Sequence, residues 1–143
     1  MLVMDLAIRK VRPADLDALF ELVEQFAASF RPERPAFEQT AHALLADESV
    51  WLGGADSAGH LIGYCLGFDH LTFYANGRVA WVEEIMVAER CRRRGVGRAL
   101  MEGFEAWTRS RGSRLIALAT RRAAPFYDAL RYEASATYYR RIL

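Results

Sequence analysis

The residues best suited to chemistry in this 143-residue chain are Arg92-Arg93-Arg94-Gly95-Val96-Gly97. They lie between an apolar run, Ile85-Met86-Val87, and an amphipathic segment that begins Ala99-Leu100-Met101. A strand that passes through a basic, glycine-containing loop into a helix has the parts of an anion cradle. Glycine lets the backbone approach a ligand closely, and the first N–H groups of a helix have no intrahelical partner. Arginine side chains, with Arg98 added to the first three, can clamp phosphate oxygens. The loop is therefore read as a holder of pyrophosphate. The competing reading is a tight strand-to-helix turn with a solvated arginine face. The spacing sets aside the two commonest nucleotide motifs. Arg98, Ala99 and Leu100 follow Gly97, so the third glycine of G-x-G-x-x-G is missing, and no G-K-[ST] is present. The expected phosphate ligand is neither a dinucleotide nor ATP.

Charge around the loop is uneven although the whole chain carries only +1. Arg90, Arg92, Arg93, Arg94 and Arg98 cluster, while Glu83, Glu84 and Glu89 lie just upstream. A basic pocket beside an acidic one suits an anionic cofactor and a cationic substrate. The near-neutral total gives no global field toward nucleic acid or membrane, so neither is expected as a partner. The two cysteines, Cys65 and Cys91, have no His or Cys neighbour at metal-ligand spacing. Free thiols in a reducing cytoplasm are expected, with no metal site. The opening Met1-Leu2-Val3-Met4-Asp5 lacks the charged start and long apolar run of a signal peptide, and no run reaches membrane-span length. The expected localisation is cytoplasmic.

The elements that must position the loop follow from periodicity. Leu6 to Arg12 reads as a strand closed by Pro13. Leu16, Leu19, Phe20, Val23, Phe26 and Phe30 recur at helical spacing, with Pro13 in the first turn. Residues 31–35 read as a loop, and Phe37, Ala41, Leu44 and Leu45 as a second helix. Val50 to Leu52 and Leu61 to Phe68 read as strands around a turn at residues 55–59, and Asn76-Gly77 marks a hairpin into Val79 to Val87. Val96, Leu100, Phe104 and Trp107 line a helix that stops near Arg111-Gly112; Leu115 to Ala119 is a strand and Ala123 to Leu130 a short helix. Tyr132 to Arg140 is expected to add one or two strands. The order predicts one α/β domain over residues 1–143, with a mixed sheet and no linker or repeat.

Three segments together then point to a family. Trp81-Val82-Glu83-Glu84-Ile85-Met86-Val87, the Arg92-x-x-Gly95-x-Gly97 loop and Ala123-x-x-Phe126-Tyr127-x-x-Leu130 resemble the GNAT superfamily of acetyl-CoA-dependent N-acetyltransferases. The acidic strand is similar to that of the polyamine and diamine acetyltransferase branch. The resemblance implies a mostly antiparallel central sheet flanked by helices, with two splayed parallel strands forming an acetyl-CoA cleft. It implies that the Arg92–Gly97 loop binds the CoA pyrophosphate and that the backbone of Ile85, Met86 and Val87 bonds the pantetheine arm.

By the same resemblance, Tyr127 is the general acid for the departing thiolate, and Glu83 or Glu84 the general base for the amine. Glu83 is favoured, also as the carboxylate that meets the substrate amine. Adjacent strand residues face opposite ways, so only one of the two looks into the site unless a bulge intervenes. Thr120 stands where the family often has an asparagine near the pantetheine. Arg131 stands where it usually has a glycine, which puts the turn there in question. Asp69, His70, Phe73 and Tyr74 are read as a polar-aromatic wall of the acceptor pocket, and a homodimer through the C-terminal strands is expected by analogy. The implied activity is acetyl transfer to the primary amine of a small cationic acceptor. The rival is an acyl-CoA-binding regulatory module without turnover, against which the retained Tyr127 and carboxylates argue.

Overall fold

The computed structural model describes residues 5–143; the opening Met1–Met4, on which the reading of the start rests, lies outside the described residues. Strand β1 (Leu6–Lys10) leads through a short 3-10 turn (Pro13–Asp15) into α1 (Leu16–Phe26) and α2 (Arg34–Ala46). Three strands follow, β2 (Val50–Ser57), β3 (His60–Thr72) and β4 (Gly77–Val87). After them come α3 (Val96–Ser110), β5 (Ile116–Leu118) and α4 (Ala124–Ala129). The five strands form one sheet in chain order. β1 to β4 pair antiparallel, and β5 joins β4 in parallel. The expected mixed sheet flanked by helices is what the chain forms.

Helices α1 and α2 cover one face of the sheet and α3 the other. The α3 face is built for close approach. A Cβ on Gly67 would lie 2.2 Å from the Phe104 ring, so glycine is what lets that ring rest on β3. Leu100, Met101 and Phe104 are almost wholly buried there, and each contributes about 1.5–3 kcal/mol by leaving water. A buried ion pair clamps the same face. The Asp69 carboxylate accepts from Arg78 Nη1 at 2.9 Å and from both Nε and Nη2 of Arg111, whose guanidinium lies 5.2 Å from the Trp107 ring centre.

Several boundaries differ from the periodic reading, each for a local reason. Helix α1 stops at Phe26, where Ala27 turns extended (ψ 130°); Phe26 and Phe30 are exposed rather than core, so no packing carries the helix further. Helix α2 starts inside the expected loop, at Arg34, with Pro35 in its first turn. β2 and β3 run longer than expected, joined at Ala58-Gly59 with both residues at positive φ, the geometry of a two-residue hairpin. The Asn76-Gly77 signal closes a longer loop, since Thr72 pairs with Gly77 across it. The strands expected over Tyr132 to Arg140 do not form. That segment is irregular and mostly exposed, held by Tyr138 stacking on Trp81 and by Arg140 donating to Ser29 Oγ at 3.0 Å.

Candidate active site

β5 pairs with β4 only over Ala80–Val82; beyond Val82 the two strands part. Ala88 N–H bonds back to Ile62 O of β3 at 2.8 Å. Strand alternation therefore turns the N–H and C=O groups of Ile85 and Val87 away from β3, toward the side β5 has left. Arg92 Nε occupies one of these acceptors, Val87 O, at 3.1 Å, and its Nη2 lies 3.7 Å from Met86 Sδ. What remains on Ile85 and Val87 is a strip of backbone donors and acceptors along a slot. The backbone of Met86, expected to join it, is turned by the same alternation toward Tyr64 of β3.

The slot runs into the start of α3. Gly95 is its N-cap residue, left-handed at φ 84°, and Arg93 is left-handed at φ 62°. No side chain caps the helix, and its first backbone bond runs from Ala99 N–H to Gly95 O at 3.0 Å. The N–H groups of Val96, Gly97 and Arg98 therefore point out of the helix end together, with its positive dipole behind them. The Val96 side chain is core, while Arg92, Arg93, Arg94 and Arg98 are exposed around the opening. A Cβ on Gly97 would sit 3.2 Å from Phe126, so this position is where α3 meets α4. The cradle fits a diphosphate: amide donors, a dipole and exposed guanidinium groups lie together, with no carboxylate among residues 92–98.

Tyr127 is buried on α4, edge-on to Phe126 (4.9 Å between ring centres) and to Tyr132 (6.0 Å). Burial pushes its phenol up to about 12, with Cys65 adding to the effect, so it stays protonated through neutral pH. The chain after α4 reverses with Arg131 at φ 67°. Tyr132 N–H bonds Tyr127 O at 3.0 Å and Arg131 N–H bonds Asp128 O at 3.0 Å, a Schellman closure that needs a left-handed residue where arginine stands. Tyr132 Oη donates to Glu105 Oε1 at 2.9 Å and ties this end to α3. Thr120 Oγ1 accepts from Ala123 N–H at 3.0 Å and so braces the entry to α4.

The two glutamates separate at a β-bulge. Leu66 pairs with Glu84 and Gly67 with Val82, which leaves Glu83 as the extra residue of β4. Glu83 is exposed, and Glu84 is half-buried beneath α1 and α2. Tyr64, 1% exposed, donates its hydroxyl to Glu84 Oε1 at 2.7 Å. Burial raises the Glu84 pKa above its ordinary value; the Tyr64 hydrogen bond opposes the shift and neighbouring Glu83 adds to it. The geometry moves the emphasis from Glu83 to Glu84. Glu84 and Tyr64 floor a cavity of about 220 Å³, walled by Leu19, Val23, Phe37, Leu44, Leu52 and Leu66.

Tyr64 escaped the sequence reading. The signal was the alternation Ile62, Tyr64, Leu66 on β3, which faces β4 residues across the register. The expected aromatic wall is not brought to this cavity. His70 is exposed on β3, and Phe73 and Tyr74 are exposed at the hairpin tip. From Gly77, where that hairpin closes, to Glu84 is roughly 20 Å of strand. Among the described residues, no group of three or more His, Cys, Asp or Glu could hold a metal, and no helix is long and apolar enough to cross a membrane.

A model of the acetyltransferase (GNAT) family matches residues 16–131, so the chain belongs to the GNAT family of acetyltransferases. It is similar to N-alpha-acetyltransferase 80 of Mus musculus, 48% identical over 52 residues that span 36% of this chain and 17% of that protein. It is 30% identical to the D-amino-acid N-acetyltransferase HPA3 of Saccharomyces cerevisiae over 104 residues, 68% of this chain and 63% of that protein. The chain thus spans less than two thirds of the length of either relative. Among solved structures, an acetyltransferase of Trypanosoma brucei superposes with a TM-score of 0.84 at 22% identity, covering 97% of this chain and all of that one. At that identity the likeness bears on the fold alone.

Proposed function

We propose that this protein is an N-acetyltransferase that moves the acetyl group of acetyl-CoA directly to the primary amine of a small cationic acceptor. The observation that carries this reading is the continuity of three features. The uncapped amides of Val96, Gly97 and Arg98 open onto the slot beside Ile85 and Val87, and the slot begins where the bulge turns Glu84 into its cavity. Acetyl-CoA, when bound, supplies an activated thioester. The loop amides, with Arg93, Arg94 and Arg98, hold its diphosphate. The free backbone groups of Ile85 and Val87 hold the arm, with Met86 between them and Thr120 at the α4 entry. Glu84 accepts the proton that the ammonium must lose before it can attack. As the N–C bond forms and the C–S bond breaks, Tyr127 gives its proton to the departing sulfur. The second proton that the nitrogen sheds on becoming an amide restores the Tyr127 phenol, so one proton, that on Glu84, is released per turnover. Tyr64 and Cys65 are consecutive on β3, so Glu84 beside the one and Tyr127 beside the other act from opposite faces of the sheet.

Glu83, exposed next to Glu84, favours a cation at the entrance. We place the protein in the cytoplasm, a reading that the two buried free thiols support. A homodimer in which a second copy covers Tyr139, Ile142 and Leu143 accords with their exposure. Light scattering tests that stoichiometry. The central test is calorimetry with acetyl-CoA on the wild type and on Gly95→Val, which removes the left-handed freedom of the cradle. Micromolar binding to the wild type, weakened at least about tenfold in the variant, is expected. Equal binding by both would overturn the cradle, and no binding by the wild type would overturn the enzyme assignment.

A further inference from the structure

The composition of the cavity over Glu84 narrows the acceptor. Its walls come from α1 (Leu19, Val23), α2 (Phe37, Leu44) and the sheet (Leu52, Leu66), apolar but for the exposed Thr40 of α2. Its floor holds one carboxylate, Glu84, fixed by the Tyr64 hydroxyl at 2.7 Å. A second carboxylate, Glu33, sits at the rim and is exposed. No Lys, Arg or His is among the lining residues. Arg34, next in the chain to Glu33, is engaged elsewhere, donating to Asp17 and Glu38 and lying over the Phe20 and Phe37 rings.

Resting on the acetyl-transfer reading above, we infer that the acceptor is a primary amine carried on an apolar body, alkyl or aryl, whose ammonium meets Glu84 while the body fills the cavity. Three classes are set against each other by the lining. An amino acid would bring its own carboxylate among leucines, where no cation waits for it, so this chain departs from the substrate class in the name of its yeast relative. A diamine or polyamine would place a second ammonium against Leu44, Leu52 and Leu66, and an unpaired buried charge is strongly disfavoured. A longer polyamine that reached Glu33 would gain only an exposed, salt-screened pairing. An apolar body meets none of these costs.

Size agrees as well. An apolar cavity of about 150 Å³ takes benzene, so about 220 Å³ accepts a benzene-sized ring with a short alkyl arm. Tyr64 becomes a positioning residue in this account. It neither touches acetyl-CoA nor exchanges the proton; it holds one oxygen of Glu84, leaving the other for the amine.

The test is thiol release from acetyl-CoA with a matched panel: phenethylamine, hexylamine, ethylamine, putrescine, spermidine and phenylalanine. Each methylene moved out of water is expected to raise kcat/KM roughly fourfold. Phenethylamine and hexylamine should therefore exceed ethylamine and putrescine by at least about 100-fold. Phenylalanine, which adds only a carboxylate to phenethylamine, should fall by a similar factor. Thr40→Asp adds a carboxylate at an exposed position of the lining and should shift the phenethylamine-to-putrescine ratio about tenfold toward the diamine. Tyr64→Phe should lower kcat more than it raises KM and shift the acid limb of the pH profile upward, which a purely structural role would not do. Putrescine, spermidine or phenylalanine as the best substrate overturns the inference and leaves acetyl transfer standing. Acetyl-CoA binding with no turnover of any panel amine overturns it too. Failure to bind acetyl-CoA overturns both.

Discussion

Replacing Glu84 by glutamine separates the chemistry of this site from its stability. The amide keeps the shape of the side chain and an oxygen to accept from Tyr64, but it cannot take a proton. Loss of a positioned general base costs about 100- to 10,000-fold in kcat/KM, or about 2.7 to 5.4 kcal/mol of transition-state stabilisation. The effect on folding has the opposite sign. Burial raises the Glu84 pKa above its ordinary value of 4.5, so the folded protein favours the neutral carboxyl. That contribution is present in acid and lost as pH rises through the raised pKa, which leaves an ionised, partly desolvated carboxylate at neutral pH. Glu84→Gln is therefore expected to be more stable than the wild type at pH 7, by up to about 1 kcal/mol, and to lose that advantage toward pH 4. Glu83→Gln is the control. Glu83 is exposed, so its loss should change kcat/KM by no more than about fivefold. It should also lower the acid limb of the rate profile, because its charge helps to raise Glu84. Thiol release across pH 5 to 9, with thermal unfolding of the same three proteins, reads all of these. A larger loss in Glu83→Gln than in Glu84→Gln would refute the assignment, and the carboxylate at the bulge would then be the base.

Three further outcomes follow from the same geometry. Tyr127→Phe keeps the ring contacts with Phe126 and Tyr132 and should lower kcat about 100-fold or more with acetyl-CoA affinity unchanged in calorimetry; an unchanged single-turnover rate would remove the acid role. Arg131→Gly relieves the left-handed strain at φ 67° and should stabilise by about 1 kcal/mol, raising Tm by roughly 3 °C; a lower Tm would show that the arginine side chain outweighs the strain. Asp69→Ala strips two guanidinium groups of a carboxylate that is itself fully buried and should cost about 3 kcal/mol, or roughly 10 °C in calorimetry. A loss under about 1 kcal/mol would mean that Arg78 and Arg111 find water instead.

What could be read in advance was what rests on backbone chemistry and strong periodicity. The Arg92–Gly97 loop needs its glycine at a left-handed N-cap, and Gly95 sits there. Helix α3 carries Leu100 and Phe104 at regular spacing and ends at Gly112, left-handed at φ 78°. The C-terminal strands could not be read in this way. Tyr132 to Arg140 has the β-branched and aromatic content of a strand, but a strand exists only where a partner edge accepts it, and β5 offers three residues. Composition is local and pairing is not.

The choice between the glutamates turns on that same distinction. Val82 pairs with Gly67, whose missing side chain makes room for Phe104, so Val82 belongs to the α3 face. Strict alternation from Val82 would put Glu83 on the α1 and α2 face and return Glu84 to the α3 side, under Phe104. The extra residue reverses the parity: Glu84 now pairs with Leu66 and shares its face, while Glu83 is left outside. One unpaired residue thus decides which of two identical side chains is desolvated, raised in pKa and aimed into an apolar cavity. It also lies one residue past Val82, where β5 leaves β4. The bulge therefore presents both carboxylates at the end of the parallel pairing. Deleting Glu83 would make Glu84 follow Val82 directly while still opposite Leu66. That deletion should cost activity through the slot and the entrance charge and leave the Glu84 carboxylate in its cavity.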